Sequence, residues 1–345
     1  MRAAVTEPWI DLPGEPTPED GSLPSKGPSG GGSRRRLTRV LGAVRSRPAR
    51  WVFGLLALSL AVWAVASEWS DVVDAVSRLD VRWLVVAVLV TVGNVLLAGL
   101  VWRTVLADLG SPLPWAAAAR IFFVGQLGKY VPGSVWPLVV QTELGSDHAV
   151  PRRRTATATA VALLLSVGSA LLTSLIAAPF APDAVPAAFR WTVLLVIPLA
   201  VVLHPAVLGR IGRTALPFVG RDPLEQTTSL RGTAKATLFS IGSWVGAGLQ
   251  VWALVAAVGG SAGWRSLALA VTGYPLAWVV GFLVVVAPAG AGARELALAA
   301  VLGGVLDRAS VLVVVLLSRV LFTVVDVAVA GVGLLAGHSH RRVES

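Results

Sequence analysis

Along this chain apolar residues come in long blocks, not in the three-and-four spacing of a helix with one wet face. A helix rises about 1.5 Å per residue, so roughly 20 apolar residues are needed to cross a hydrocarbon core about 30 Å thick. Blocks at residues 51–67, 83–107, 155–180, 190–208, 236–258 and 309–336 meet or approach that length and predict six full spans. Two further apolar regions are interrupted. One, 115–143, is cut at Val131-Pro132-Gly133-Ser134; the other, 266–306, is cut at Pro288-Ala289-Gly290-Ala291-Gly292. Pro removes a backbone donor and Gly admits conformations other residues resist, so each cut predicts unwound backbone at membrane depth.

Charge in the connecting segments orients the spans. Residues 68–82 carry Glu68, Asp71, Asp74 and Asp80 against Arg78 and Arg82, and read as external. Arg152, Arg153 and Arg154, the basic 209–235 segment and the tail around Arg341 and Arg342 read as cytoplasmic. These assignments agree if each interrupted region enters and leaves by the same face. The expected fold is therefore an all-α polytopic membrane bundle of about six spans plus two re-entrant helical hairpins. Span, hairpin and span (83–180) then recur with opposite orientation (236–336), an inverted repeat in hydropathy with slight residue identity. Residues 266–287 are also long enough to span, which would place the carboxyl end outside.

Residues 1–50 predict a disordered tail, rich in Pro, Gly and Ser and ending in an Arg cluster that holds it in the cytoplasm. The membrane domain is 51–336, followed by a short cytoplasmic tail, 337–345. Charged residues make up 14% of the chain, against about 25% in soluble domains, too few to coat a water-facing globule. The net charge of +10 sits mostly beside apolar blocks, so it marks cell-membrane topology and not nucleic-acid binding. Cysteine is absent and the four His are not at metal-ligand spacing, so no metal site or cofactor is expected.

Ionisable groups inside apolar blocks cost about 2.5–3.5 kcal/mol each at the bilayer centre, so they should face protein or water. Lys129 precedes the first cut, and Gln141 and Glu143 close its other limb. Arg294 and Glu295 open the helix after the second, and Arg319 and Asp326 lie seven apart on one face of the last span. Each has a plainer reading: Lys129 snorkelling, Glu143 solvated, Glu295 complementing a helix dipole, Arg319 paired with Asp326. Asn94 reads as an interhelical hydrogen bond, and Thr159, Ser166 and Thr173 as packing. A helix restarting after Gly292 would present free N–H groups, and with Arg294 beside it would suit an anion.

Gly128-Lys129-Tyr130-Val131-Pro132-Gly133-Ser134-Val135-Trp136 resembles the Pro-Gly hairpin of the lysylphosphatidylglycerol synthase transmembrane-region family, the flippase-like domain proteins. Pro288-Ala289-Gly290-Ala291-Gly292-Ala293-Arg294-Glu295 is similar to that family's second signature, and Ser318-Arg319 to its late Arg. The resemblance implies a membrane domain that moves lipids or lipid-linked glycans between leaflets. Pro132, Gly133, Pro288, Gly290, Gly292, Arg294, Glu295 and Arg319 stand at the matching positions, with Lys129, Glu143 and Asp326 added from the charge argument. This chain departs from the pattern at Ser134-Val135-Trp136, where relatives continue with Gly and Glu, and it carries no soluble aminoacyl-transfer domain. The expectation is a non-enzymatic translocase of lipids with an anionic, phosphate-containing headgroup. A polyprenyl-phosphate-sugar glycosyltransferase using Asp71 and Asp74, or a non-transporting subunit of an envelope-lipid assembly, are the alternatives.

Overall fold

A computed structural model describes residues 69–130, 136–180, 228–283 and 292–343. Every regular element among them is helical. In chain order they are α1 (Trp69–Ser77), α2 (Val81–Asp108), α3 (Trp115–Gln126) with a 3₁₀ turn (Leu127–Tyr130), α4 (Trp136–Ser146) and α5 (Arg152–Ala177). Then come α6 (Leu230–Ala257), α7 (Trp264–Leu283), α8 (Ala293–Leu302) and α9 (Arg308–Val343).

Five of these helices are long and apolar enough to cross a membrane. Four of them, α2, α5, α6 and α9, coincide with predicted spans. The fifth is α7, whose 20 residues were expected as one limb of a hairpin. The predicted spans 51–67 and 190–208 lie outside the described residues, as do the tail 1–50 and the cuts at 131–135 and 284–291. Residues 68–82, read as a loop, contain the amphipathic α1. It buries Val72 against Ala309 and Val313 of α9. Outward-facing Leu89, Leu238, Val320, Val324 and Leu335 remain more than half exposed, the surface expected where lipid is the solvent.

Helices α2 and α6 form the most extensive interface and lie antiparallel along their whole length. Asp80 N–H, at the start of α2, donates to Ala257 O at the end of α6 at 2.9 Å. Ser229 N–H, at the start of α6, donates to Asp108 Oδ2 at the end of α2 at 2.6 Å. At the midpoint Asn94 Nδ2 donates to Ser243 O, and Ser243 Oγ to Asn94 O at 3.3 Å, across a separation of 149 residues. The end contacts pair with each other under the same shift of 149, since Asp80 corresponds to Ser229 and Asp108 to Ala257.

That register exposes a repeat that hydropathy alone had left slight. Shifted by 149, residues 81–115 and 230–264 share Arg82/Arg231, Ala87/Ala236, Leu89/Leu238, Gly93/Gly242, Ala98/Ala247, Gly99/Gly248, Leu100/Leu249, Ala107/Ala256, Gly110/Gly259 and Trp115/Trp264. The shared residues have structural work. Gly110 (φ 81°) and Gly259 (φ 85°) end the two helices in the left-handed region. Gly99 lets α3 approach through Phe123, and Gly248 lets α7 approach so closely that a Cβ there would lie 2.5 Å from Val271 Cα. In each half a long helix is followed by a helix of 12 or 20 residues, a segment outside the described residues, a helix of 11 or 10 residues and a second long helix. The leading helices of the two halves, α2 and α6, run in opposite directions and cross-bond at Asn94 and Ser243.

Candidate functional site

Between the halves lies a cavity of about 620 Å³. The first half lines it from α2, α3, the 3₁₀ turn, α4 and α5. The second half lines it from α6, α7, α8 and α9. Most of the wall is apolar, and its polar groups gather at two places.

The charged group is built mainly on the second half. Asp326 of α9 is 5% exposed and accepts from Lys129 Nζ at 2.5 Å and from the Tyr130 hydroxyl at 2.6 Å. These contacts tie the 3₁₀ turn before the first cut to the last long helix. One helical turn pair away, Arg319 Nη1 donates to Glu295 Oε1 at 3.0 Å. Glu295 Oε2 folds back to accept from Gly292 N–H at 2.7 Å, so α8 begins with its own acid as cap. One N–H that was expected to be free for a ligand is therefore already taken. Gly292, at φ 86°, makes that tight entry.

Arg294 is held differently. Its guanidinium carbon stands 4.7 Å from the Tyr274 ring centroid and 5.6 Å from that of Phe322, over two rings stacked 5.6 Å apart. Among the described residues it has no carboxylate partner. It lines the cavity together with Lys129, Arg319 and Asp326. Three cations (Lys129, Arg294, Arg319) face two carboxylates (Glu295, Asp326), so the cluster carries one positive charge in excess. The aromatic bed stabilises that guanidinium without neutralising it.

The other residues singled out from the sequence fall elsewhere. Glu143 is on the outer side of α4, more than half exposed, and pairs with Arg152 at 2.6 Å. It does not line the cavity. Pro132, Gly133, Pro288 and Gly290 lie outside the described residues. Arg319 and Asp326 share the cavity, each with a partner on another element. Sequence reasoning passed over Tyr130, Tyr274 and Phe322, and it read Thr159 as packing although that hydroxyl lines the cavity. Tyr130 was legible in principle, as a polar aromatic next to Lys129 at the edge of a break. Among the described residues no group of acids and His could hold a metal ion.

The fold and cavity define a polytopic α-helical membrane protein with a largely apolar chamber that carries a cluster of charged side chains. The chain belongs to the family described as lysylphosphatidylglycerol synthase TM region, whose profile matches residues 51–330. Membership makes it a membrane protein of a lipid-related family. No individually curated protein matches it.

Proposed function

We propose that the chain translocates an anionic lipid, or a lipid-linked glycan, between leaflets without chemical change. The observation that carries this reading is Arg294, a guanidinium on an aromatic bed with no carboxylate hydrogen-bonded to it among the described residues, in a chamber lined by both halves. A phosphate diester brings one negative charge, which matches the one positive charge in excess. The apolar remainder of the wall suits the start of an acyl or prenyl chain. In this reading the segments around 131–135 and 284–291 are the turns of two re-entrant hairpins. The termini are cytoplasmic, and the membrane is the cell membrane. Inverted halves can exchange conformations, so the same chamber opens first to one leaflet and then to the other. Asp326 closes one route by joining Lys129 and Tyr130 to α9.

The test is reconstitution of the purified full chain in liposomes with a head-labelled anionic phospholipid, scored by dithionite or back-extraction. Arg294→Gln is expected to slow movement by at least tenfold while eluting as folded protein, since Lys129 and Arg319 still match the two carboxylates of the cluster. Unchanged movement in Arg294→Gln would overturn the assignment. Transfer of a sugar from a polyprenyl phosphate donor, without lipid movement, would favour the enzyme reading instead.

A further inference from the structure

No residue of the amphipathic α1 lines the chamber. Its nine residues divide into two faces at about 100° per residue. Trp69, Val73 and Val76, at i, i+4 and i+7, share one face and are 62%, 46% and 49% exposed. Asp71 and Asp74 stand on the opposite face, with Arg78 just past the last turn donating to Asp74 Oδ2 at 3.2 Å. Val72 and Ala75, along the edge between the faces, pack on Ala309 and Val313 of α9. One edge of the helix is therefore taken by protein, and the Trp and two Val beside it are left open among the described residues.

The surroundings fix the height of α1. Only Arg78, Leu79 and Asp80 connect it to α2. Asp80 caps α2 by accepting from Arg82 N–H at 2.9 Å, and its own N–H donates to Ala257 O at the end of α6. Leu79, together with Val258 just past that end, joins the contact with Ala309 and Val313 in the first turns of α9. Three membrane-length helices, α2, α6 and α9, thus begin or end beside α1, at the level where hydrocarbon gives way to water. The next apolar residues along the chain, Val81, Val85 and Leu89, follow at four-residue spacing as an outward ridge of α2, each more than half exposed. The open face of α1 runs on into that lipid-covered ridge. In water a nine-residue helix showing a Trp and two Val would be marginal. At a lipid–water boundary both of its faces are solvated, and Trp is a residue that settles there.

We propose that α1 is a membrane-surface helix. Trp69, Val73 and Val76 seat among the headgroups and upper acyl carbons of the leaflet at the start of α2, and Asp71 and Asp74 face water. The occupant of the open face is bilayer lipid. Through Val72 and Ala75 the helix ties that leaflet to α9, the helix that carries Arg319 and Asp326. The assignment is independent of what the chamber carries.

The chain contains no cysteine, so single sites can be labelled without background. Val73→Cys, Asp74→Cys and, as a lipid-facing reference on α2, Leu89→Cys each carry a nitroxide in the full chain. Each is reconstituted in phosphatidylcholine vesicles, with oxygen or a nickel chelate present on both sides of the membrane. Power saturation then reads how often the label meets each reagent. The oxygen-to-nickel ratio should be about fivefold or more higher at 73 than at 74, and higher still at 89. Equal ratios at 73 and 74 would place α1 in water and overturn the inference. A label at 73 shielded from both reagents would mean that protein covers the face, either residues 51–67 or a second copy, and overturns it equally. Adding Trp69→Gln and Val76→Gln should lower the ratio at 73 by about twofold or more and leave that at 89 unchanged. No change at 73 in that variant would show that the apolar face is not what holds the helix at the surface.

Discussion

Replacing Asp326 by Asn tests whether the contact between the 3₁₀ turn and α9 is a matched pair or an incidental approach. The Asp326 side chain is 5% exposed and that of Lys129 is 34% exposed, with Nζ and Oδ2 at 2.5 Å. Removing one partner of a buried pair costs about 3–5 kcal/mol, because the survivor's charge is left without compensation. The cost should be unequal. In Asp326→Asn the surviving ammonium can turn into the cavity, so we expect the low end, about 3 kcal/mol. In Lys129→Met the surviving carboxylate keeps only the Tyr130 hydroxyl and little access to water, so the expected loss is about 5 kcal/mol. Removing both charges leaves no uncompensated ion, and the double variant should be less impaired than Lys129→Met alone. The assay is a double-mutant cycle on equilibrium unfolding in mild detergent, followed by Trp fluorescence. Losses that add within about 0.5 kcal/mol in the double variant would show that the two residues do not act as a pair.

Gly248→Ala should destabilise by about 1–3 kcal/mol, because the new Cβ meets backbone of α7 at Val271 and cannot be accommodated by a rotamer change. Gly242→Ala on the same helix meets only Leu97 Cδ1 at 3.5 Å and should be neutral or stabilising by up to about 1 kcal/mol, as read from unfolding midpoints. Asp307 caps α9, its carboxylate accepting from Ser310 N–H at 2.9 Å and from Ser310 Oγ–H at 2.6 Å. Those bonds hold its carboxyl below the ordinary 3.8. A carboxyl depressed in the folded state contributes stability above its unfolded value and loses it as pH falls through the folded one. Asp307→Ala should therefore cost about 1 kcal/mol at neutral pH, and the gap to wild type should close as pH falls below about 4. A gap independent of pH would mean the cap acts through shape alone.

What was legible in the sequence follows from which forces leave a one-dimensional trace. Crossing a hydrocarbon layer demands uninterrupted apolar length, so α2, α5, α6 and α9 could be bounded within a few residues, the amino end of α6 and the carboxyl end of α9 excepted. Heptad spacing placed Arg319 and Asp326 on one helical face, and both line the cavity. The error at α4 is instructive. Gln141 and Glu143 are two residues apart, about 200° around a helix, so only one of them can face inward. Charge alone drew attention to Glu143. Burial cost argues the opposite, since an acid with Arg152 nearby is satisfied in water, whereas an amide tolerates burial once one end is bonded. The partners that decided this, Gly125 and Thr159, come from two other helices and leave no local trace. The internal repeat was hidden for a similar reason. Ten shared positions in 35 become visible only at the shift of 149, and that shift came from the Asn94–Ser243 contact.

The scaffold is symmetric where it packs and asymmetric where it binds. Small residues recur at matching positions of α2 and α6, and at one such pair a neighbouring helix comes close in each half, α3 through Phe123 at Gly99 and α7 through its backbone at Gly248. No such force requires the ionisable groups of the cavity to recur, and they are divided unevenly. The second half supplies Arg294, Glu295, Arg319 and Asp326, whereas the first supplies Lys129 and the three amides of Asn94, Gln126 and Gln141. Two copies of the charged cluster would double a solvation cost of about 2.5–3.5 kcal/mol per group without holding a second headgroup in one 620 Å³ chamber. In the translocase reading, a single cluster gives the headgroup a fixed polarity, with its phosphate toward α8. The pair between Lys129 and Asp326 is then the one charged bridge crossing from half to half among the described residues. In the translocase reading, whatever moves the halves apart must break that bridge, and an incoming anion near Lys129 is the natural competitor for its ammonium.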